Sequence, residues 1–337
     1  MAEADRPGED GIIARLFQPL AQGYPGALRL LDDAAVIAPT AGTDLVVTTD
    51  ALIAGVHFLP DDTPADIAYK ALAVNISDLA AKAAAPLTYT LVLALPQGCG
   101  EAWLAEFTQG LLEAQNAFDI TLCGGDTTVS PAGPLMISIT AFGSVPHDRI
   151  VPRGGARPGD ALYVSGTIGD AALGLKLWRG DADTQGWPLD EAARRHLIGR
   201  YLRPEPRLAL RKALLAHASA AMDISDGLVI DCARMCTASD VSGRIEAPHV
   251  PLSPAVQTLI SADTGIFERA LTGGDDYEIL AAIRPGEAQG FEAAAKAAGI
   301  RVSRIGGFGE AGGKLSVIGP DGQPMSFARP GYDHLAS

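Results

Sequence analysis

A chain of 337 residues is too long for one ordinary core and is expected to divide into two domains. The net charge of −14 keeps it soluble and argues against DNA or RNA as a partner, because phosphate-backbone binding needs a basic surface; an anionic ligand stays open where bound cations invert the local field. Hydrophobic residues make up 47% but aromatic ones only 6%, so the core is expected to be built from Ala, Leu, Val and Ile, as in a soluble globular enzyme.

The opening Met1-Ala2-Glu3-Ala4-Asp5-Arg6-Pro7 is acidic and polar, unlike a signal peptide. Residues 12–20 read as a short amphipathic helix, followed by a Gly-Tyr-Pro-Gly turn at 23–26 and strands at 34–38 and 45–49. Thr63-Pro64-Ala65-Asp66 carries a cap, a first-position proline and a first-turn acid, so a helix runs from there to about 84, where Ala85-Pro86 stops it. A strand at 88–95, a helix at 101–118 and strands at 121–124 and 135–145 complete an α/β or α+β first domain. The strongest apolar run, 87–95, is far below the ~20 residues of a membrane span, so a cytoplasmic protein is expected.

Residues 151–160, rich in Pro, Gly and Arg, read as the domain boundary. A second α/β unit begins with a strand at 161–165, and helical stretches follow at 170–178, 189–201 and 206–219. The cluster at Asp223 opens another helix to about 238; a strand at 277–283, a helix within 285–299 and short strands between 301 and 318 follow. Cys99, Cys123, Cys232 and Cys236 lack the His or Cys partners of a zinc site and read as free thiols in a reducing compartment.

Acidic clusters set among glycines, small residues or hydroxyls recur along the chain: Leu31-Asp32-Asp33-Ala34, Thr48-Thr49-Asp50, Gly124-Gly125-Asp126-Thr127-Thr128 and Asp223-Ile224-Ser225-Asp226-Gly227. Asp78 sits in the apolar stretch 71–81, on one helical face with Asn75. Two like charges about 4 Å apart repel by roughly 4 kcal/mol at an effective dielectric near 20. Hard divalent cations with oxygen ligands remove that penalty, and Mg²⁺ usually joins one or two carboxylates to substrate phosphates. Thr48-Thr49-Asp50 is read as ending a strand and Gly124 to Thr128 as following one, where ligand groups commonly project. Taken singly each cluster also fits a plain alternative: an Asx turn, a helix cap at Asp223 and Asp226, a buried helix acid at Asp78, a structural histidine at His57. There is no G-x-x-x-x-G-K-[ST] loop, no protein-kinase motif set and no G-x-S-x-G elbow.

These clusters, with His57-Phe58-Leu59-Pro60, Gly273-Gly274-Asp275-Asp276-Tyr277-Glu278 and Gly331-Tyr332-Asp333-His334, resemble the thiamine-monophosphate kinase branch of the aminoimidazole ribonucleotide synthetase-like superfamily almost end to end. The resemblance implies an α/β (α+β) chain of two domains. Residues 1–150 would bind ATP and Mg²⁺ and pair their sheet across a homodimer; residues 151–337 would complete the active site. It implies transfer of the ATP γ-phosphoryl group to thiamine monophosphate by direct in-line attack. Asp33, Thr48, Thr49, Asp50, Asp78, Asp126, Asp223 and Asp226 would serve the metal ions. Thr48, Gly125, Asp126, Arg153 and Ser225 would serve the nucleotide and its metals, and His57, Asp275 and Tyr332 the thiamine phosphate; Asp126, Arg153 and Asp226 would carry the chemistry. Leu31 stands where the family usually has glycine, and Asp275 where it usually has glutamate. The rival readings are a sister ATP-dependent enzyme of the superfamily and a non-enzymatic sensor of nucleotide or thiamine phosphate.

Overall fold

The computed structural model describes residues 9–97, 99–312 and 314–332, so the Met1-to-Pro7 stretch and the tail residues Asp333 and His334 lie outside it. The chain divides into two compact units, Met1–Leu79 with Ala84–Asp148 and Ala80–Ala83 with Arg149–Ser337.

The first unit begins irregularly. Helix α1 (Glu9–Ile12) passes into a π turn (Ile13–Phe17) and 3₁₀ turns (Gln18–Ala21, Pro25–Leu30), in place of the single helix expected at 12–20. Pro19 has no N–H to continue an α ladder. The expected strand at 34–38 is absent: the segment is largely exposed and belongs to no strand ladder, its bonds being Val36 N to Gly26 O at 2.8 Å, Tyr24 Oη to Val36 O at 3.4 Å and Ala34 N to Asp32 Oδ1 at 3.3 Å. Four strands follow, with two helices between them: β1 (Thr43–Ile53), α2 (Pro64–Ala81), β2 (Ala85–Leu95), α3 (Glu101–Phe118), β3 (Thr121–Val129) and β4 (Met136–Pro146). The sheet order is β1-β4-β2-β3, antiparallel except between β2 and β3.

Helix α2 begins on the expected box: Thr63 Oγ1 accepts from Asp66 N at 3.2 Å and donates to Asp66 Oδ2 at 2.8 Å. It is buried almost all round, consistent with its Ala, Leu, Val and Ile content. Gly110 of α3 lets the two helices touch, since a Cβ there would lie 2.2 Å from Ala65 O.

Two expectations about strand ends need correction. Thr48, Thr49 and Asp50 lie in the middle of β1, opposite Ala141, Thr140 and Ile139. Residues 124–128 lie within β3, paired to β2 from Gly124↔Thr90 to Thr128↔Ala94. The ladders to neighbouring strands carry both segments past their glycine and hydroxyl signals.

The second unit holds a six-stranded sheet of order β10-β7-β9-β5-β8-β6. In chain order its elements are β5 (Ala161–Ser165), α4 (Asp170–Arg179), α5 (Glu191–Leu202), α6 (Arg211–His217), β6 (Ala218–Asp223), α7 (Leu228–Ser239), β7 (Ser242–Glu246), α8 (Pro254–Ala262), α9 (Gly265–Thr272), β8 (Ile279–Ile283), α10 (Ala288–Ala297), β9 (Val302–Gly309) and β10 (Leu315–Ile318). Every residue of β5 and β8 is buried, because helices cover both sheet faces. Leu162, Val164, Leu280 and Ala282 pack with Leu228, Cys232 and Met235 of α7, while Tyr163, Ala281 and Ile283 pack with Leu214 and Phe291 on the other side.

The helix expected at 206–219 is shorter: α6 gives way to β6, which pairs with β8 and ends at Asp223. Helix α7 therefore starts five residues beyond Asp223, not at it. All four cysteines are free thiols, and Cys123, Cys232 and Cys236 are buried. No described helix is long and apolar enough to cross a membrane.

Candidate active site

In the first unit the alternation of β1 sorts its cluster by face. Thr48 and Asp50 turn toward α2, where Thr48 Oγ1 donates to Asp78 Oδ2. Thr49 turns the other way, with its hydroxyl 3.0 Å from Thr140 Oγ1 and 3.2 Å from Ile139 O. Burial, then the neighbouring Asp78 charge, pushes the Asp50 carboxyl up to about 6. Two carboxylates and a hydroxyl converge there against a largely apolar helix, an all-oxygen donor set of the kind a hard divalent cation takes.

Asp33, Gly125 and Asp126 line a second place, a cavity of about 420 Å³ floored by Leu91, Leu122 and Cys123 and closed by Ile13, Phe17 and Leu30. A Cβ at Gly125 would lie 2.0 Å from Leu91 O, so only glycine fits. Asp126 stands in one row with Val92, Ser138 and Ala51 across the sheet. Three strand spacings, roughly 14 Å, thus separate it from Ala51, the residue after Asp50 in β1. Asp50 and Asp126 of one chain do not share an ion.

Leu31, the unusual residue before the Asp32–Asp33 pair, has φ −113° and ψ 1°, which any residue adopts. The left-handed backbone falls instead on Leu28, Arg29 and Leu30, at φ 49°, 62° and 54°. His57 follows β1 in a tight turn in which Gly55 N donates to Phe58 O at 2.8 Å. Its Nδ1 accepts from Ile53 N at 3.0 Å, so the neutral ring carries its proton on Nε2.

In the second unit, two loops are laced together. Asp275 N donates to Ser225 O, Tyr277 N to Ile224 O and Ile224 N to Glu278 O, each at 2.8 Å. Gly274 permits this approach, because a Cβ there would lie 2.4 Å from Ser225 O. Tyr332 N donates to Asp226 O at 2.9 Å, so Asp223, Ser225, Asp226, Asp275 and Tyr332 are gathered into one region. Asp226 also accepts from Arg234 Nη1. Asp275 takes φ 70°, a conformation that a short Asp side chain tolerates better than a longer one. Arg153 is exposed and precedes Gly154 and Gly155, which pass against Ala238 O and Ser219 O.

Three acids beneath this region carry structural work that the sequence reading missed. Glu278, fully buried, accepts from Ser165 Oγ at 2.6 Å, Arg200 Nη2 at 3.0 Å and Arg207 Nε at 2.7 Å. Asp276, also fully buried, accepts from Gly169 N at 2.9 Å and is pushed upward by burial. Asp231 bonds the loop from 225 to 227. Asp231 bonds backbone N–H groups, which carry no sequence signal, but charged Asp276 and Glu278 flanking Tyr277 just before an apolar strand were a cue to buried pairing.

Residues 31–145 match the family AIR synthase related protein, N-terminal domain, and residues 157–318 its C-terminal domain. The chain is 46% identical over 332 residues to the thiamine-monophosphate kinase of Caulobacter vibrioides, covering 97% of this chain and 91% of that one. It is 39% identical over 331 residues to the kinase of Escherichia coli K12, covering 98% and 99%. Two solved structures extend the likeness. Thiamine-monophosphate kinase from Stenotrophomonas maltophilia K279a matches at TM-score 0.78 and 38% identity, over 88% of this chain and 91% of that one. AaThiL complexed with AMPPCP and TMP matches at TM-score 0.75 and 29% identity, over 98% and 100%. The two domains thus define an AIR synthase-related protein. Within that class, the chain belongs to the thiamine-monophosphate kinase family.

Proposed function

We propose that this chain transfers the γ-phosphoryl group of ATP to thiamine monophosphate, giving thiamine diphosphate and ADP, as a step of thiamine diphosphate biosynthesis in the cytoplasm. The near-full-length match to kinases, one of them solved with AMPPCP and TMP, supports the substrates. Within the chain, the reading is carried by the Thr48 hydroxyl bonded to Asp78 near Asp50, whose carboxyl is pushed up to about 6 by burial and the Asp78 charge.

Phosphoryl transfer needs positioning and charge neutralisation more than covalent help. An oxygen of the acceptor phosphate forms the new bond to the γ-phosphorus as the bond to the ADP oxygen breaks in line. That oxygen is already ionised near neutral pH, so no side chain has to remove a proton. Mg²⁺ would be held by Asp33, Asp50, Asp78, Asp126, Asp223 and Asp226, with the Thr48 hydroxyl beside Asp78 and the Thr49 side chain turned to the other face of β1; it would supply charge neutralisation between the two anionic substrates. Gly125 and Ser225 offer the nucleotide close backbone approach and a hydroxyl. Arg153 steadies phosphate oxygens by charge-assisted bonds, and His57, Asp275 and Tyr332 hold the thiamine phosphate.

The active form is a homodimer joined through the first unit's sheet. Leu45 and Val47 of β1 are 38% and 56% exposed on the face away from α2, an apolar strip that a second copy would cover. The roughly 14 Å between the Asp50 and Asp126 positions favours the same arrangement, since an ion shared between those carboxylates would need them from two chains.

A coupled assay with Mg-ATP and thiamine monophosphate tests the reading. Equal amounts of ADP and thiamine diphosphate, abolished by EDTA and absent with unphosphorylated thiamine, are expected. ADP without thiamine diphosphate would assign the chain to a sister reaction.

A further inference from the structure

We propose that Asp231 is a positioning residue that sets the loop bearing Asp223, Ser225 and Asp226, holding it ready before any ligand arrives. Its side chain is fully buried in the first turn of α7 and reaches back past the helix start. Its Oδ2 accepts from the backbone N–H groups of Ser225, Asp226 and Gly227 at 3.1, 2.9 and 3.2 Å. Three successive N–H groups around one oxygen form an anion nest, here filled by the chain's own carboxylate instead of an external phosphate. The second oxygen, Oδ1, accepts from Arg234 Nη1 at 2.8 Å, and the same nitrogen reaches Asp226 Oδ2.

The rest of the loop is made to fit this arrangement. Gly227 takes φ 130° and passes so close to Thr272 O that a Cβ would lie 2.8 Å from it. Its carbonyl accepts from Asp231 N at 3.0 Å, which starts α7 and fixes the distance between loop and carboxylate. Each of the three residues before α7 is thus tied to one side chain inside it. With that tie removed, the backbone would have to spend binding free energy on ordering when ligand arrives, which appears as weaker ligand binding and not as slower chemistry. The functional half of this inference rests on the kinase reading; the structural half does not.

Backbone amide exchange on the full-length, metal-free protein, followed by NMR, tests the structural half. In the wild type the amides of Ser225, Asp226 and Gly227 should be protected far beyond an open loop. Asp231→Ala, which removes the acceptor, should raise their exchange at least tenfold while β5 and β8 stay at wild-type rates. Arg234→Gln leaves the three N–H bonds in place and should leave those amides protected. In the coupled assay Asp231→Ala should raise the Mg²⁺ concentration for half-maximal turnover about tenfold, with kcat largely recovered at saturating Mg²⁺. Unprotected amides in the wild type, which needs no variant to fold, would overturn the proposal. So would equal loss of protection in Arg234→Gln, a rise spread over β5 and β8, or a fall in kcat that Mg²⁺ does not restore. Protected amides in a wild type that makes no thiamine diphosphate would count against the kinase reading alone.

Discussion

Asp50 and Asp78 are neighbouring carboxylates on β1 and α2, and the hydroxyl of Thr48 is bonded to Asp78. Burial and the charge of Asp78 together push Asp50 up to about 6, so at neutral pH the pair opposes the stability of the fold that presents it. A fold keeps such a pair where a ligand compensates it.

Asp78→Asn separates the two roles. It removes one of the two like charges and keeps an acceptor for Thr48, so the thermal midpoint should stay level or rise. Turnover should fall on the order of 10²–10³-fold, as when one electrostatic contact to a transition state is removed. Calorimetry should also find weaker Mg-ATP binding. Normal turnover with normal Mg²⁺ dependence would make Asp78 a structural acid.

Leu31→Gly restores the residue usual in the family and should gain nothing. Leu31 is 70% exposed at φ −113°, so glycine relieves no strain and only widens the unfolded ensemble. A loss of about 0.4–1 kcal/mol in chemical unfolding is expected, with Mg-ATP affinity unchanged. A tighter Mg-ATP complex would show that the side chain disturbs the turn holding Asp33.

Gly174→Ala sets helix propensity against packing. Within α4, alanine is the better helix former by about 1 kcal/mol. A Cβ there would lie 1.9 Å from Leu197 O and 2.5 Å from its carbonyl carbon, and backbone has no rotamer to escape into. Helices α4 and α5 must part, at about 1–3 kcal/mol or more, so the net effect is destabilising. Turnover per folded molecule should be unchanged, since neither helix contributes a candidate site residue.

Most helices, and the acidic clusters themselves, were legible because each rests on local signals. The Thr63 box fixes the start of α2, and the apolar rhythm of 101–118 gives the full extent of α3. What was illegible depends on distant partners. Thr48 to Asp50 looked like a strand end until β4 is seen running beside it for eleven residues. Ser242 to Glu246 has charged and glycine residues yet forms β7, because β9 and β10 flank it. Glu278 reads as part of a substrate motif, and only the chain crossing brings Arg200 and Arg207 to it. Asp231 was hidden for another reason: its Oδ2 partners are close in sequence but are backbone groups with no identity in it.

The Asp170–His196 pair should write a pH signature onto the second unit's stability. Asp170 is fully buried at the start of α4, bonded by Ser253 Oγ and Thr167 Oγ1 at 2.5 Å each, with His196 Nε2 at 3.3 Å. Burial alone would raise its carboxyl, but the bonds from His196, Ser253 and Thr167 outweigh that and hold it below the usual range. The bond to Asp170 raises His196 in turn, against burial. These are two views of one interaction. The histidine part is fully present below its unfolded value of about 6.5 and is lost as pH rises through the raised folded value. The aspartate part is present above its unfolded value of about 3.9 and is lost as pH falls through the lowered folded value. The pair therefore contributes most between about pH 4 and 6.5. With the imidazole 46% exposed, solvent screening keeps the histidine's share to about 1 kcal/mol or less. Urea unfolding of wild type and His196→Gln across pH 5 to 9 should give a gap that is widest at the acid end and closes above the raised histidine value. A gap that stays constant over that range would mean the ring stabilises α5 by packing alone, with no contribution from its charge.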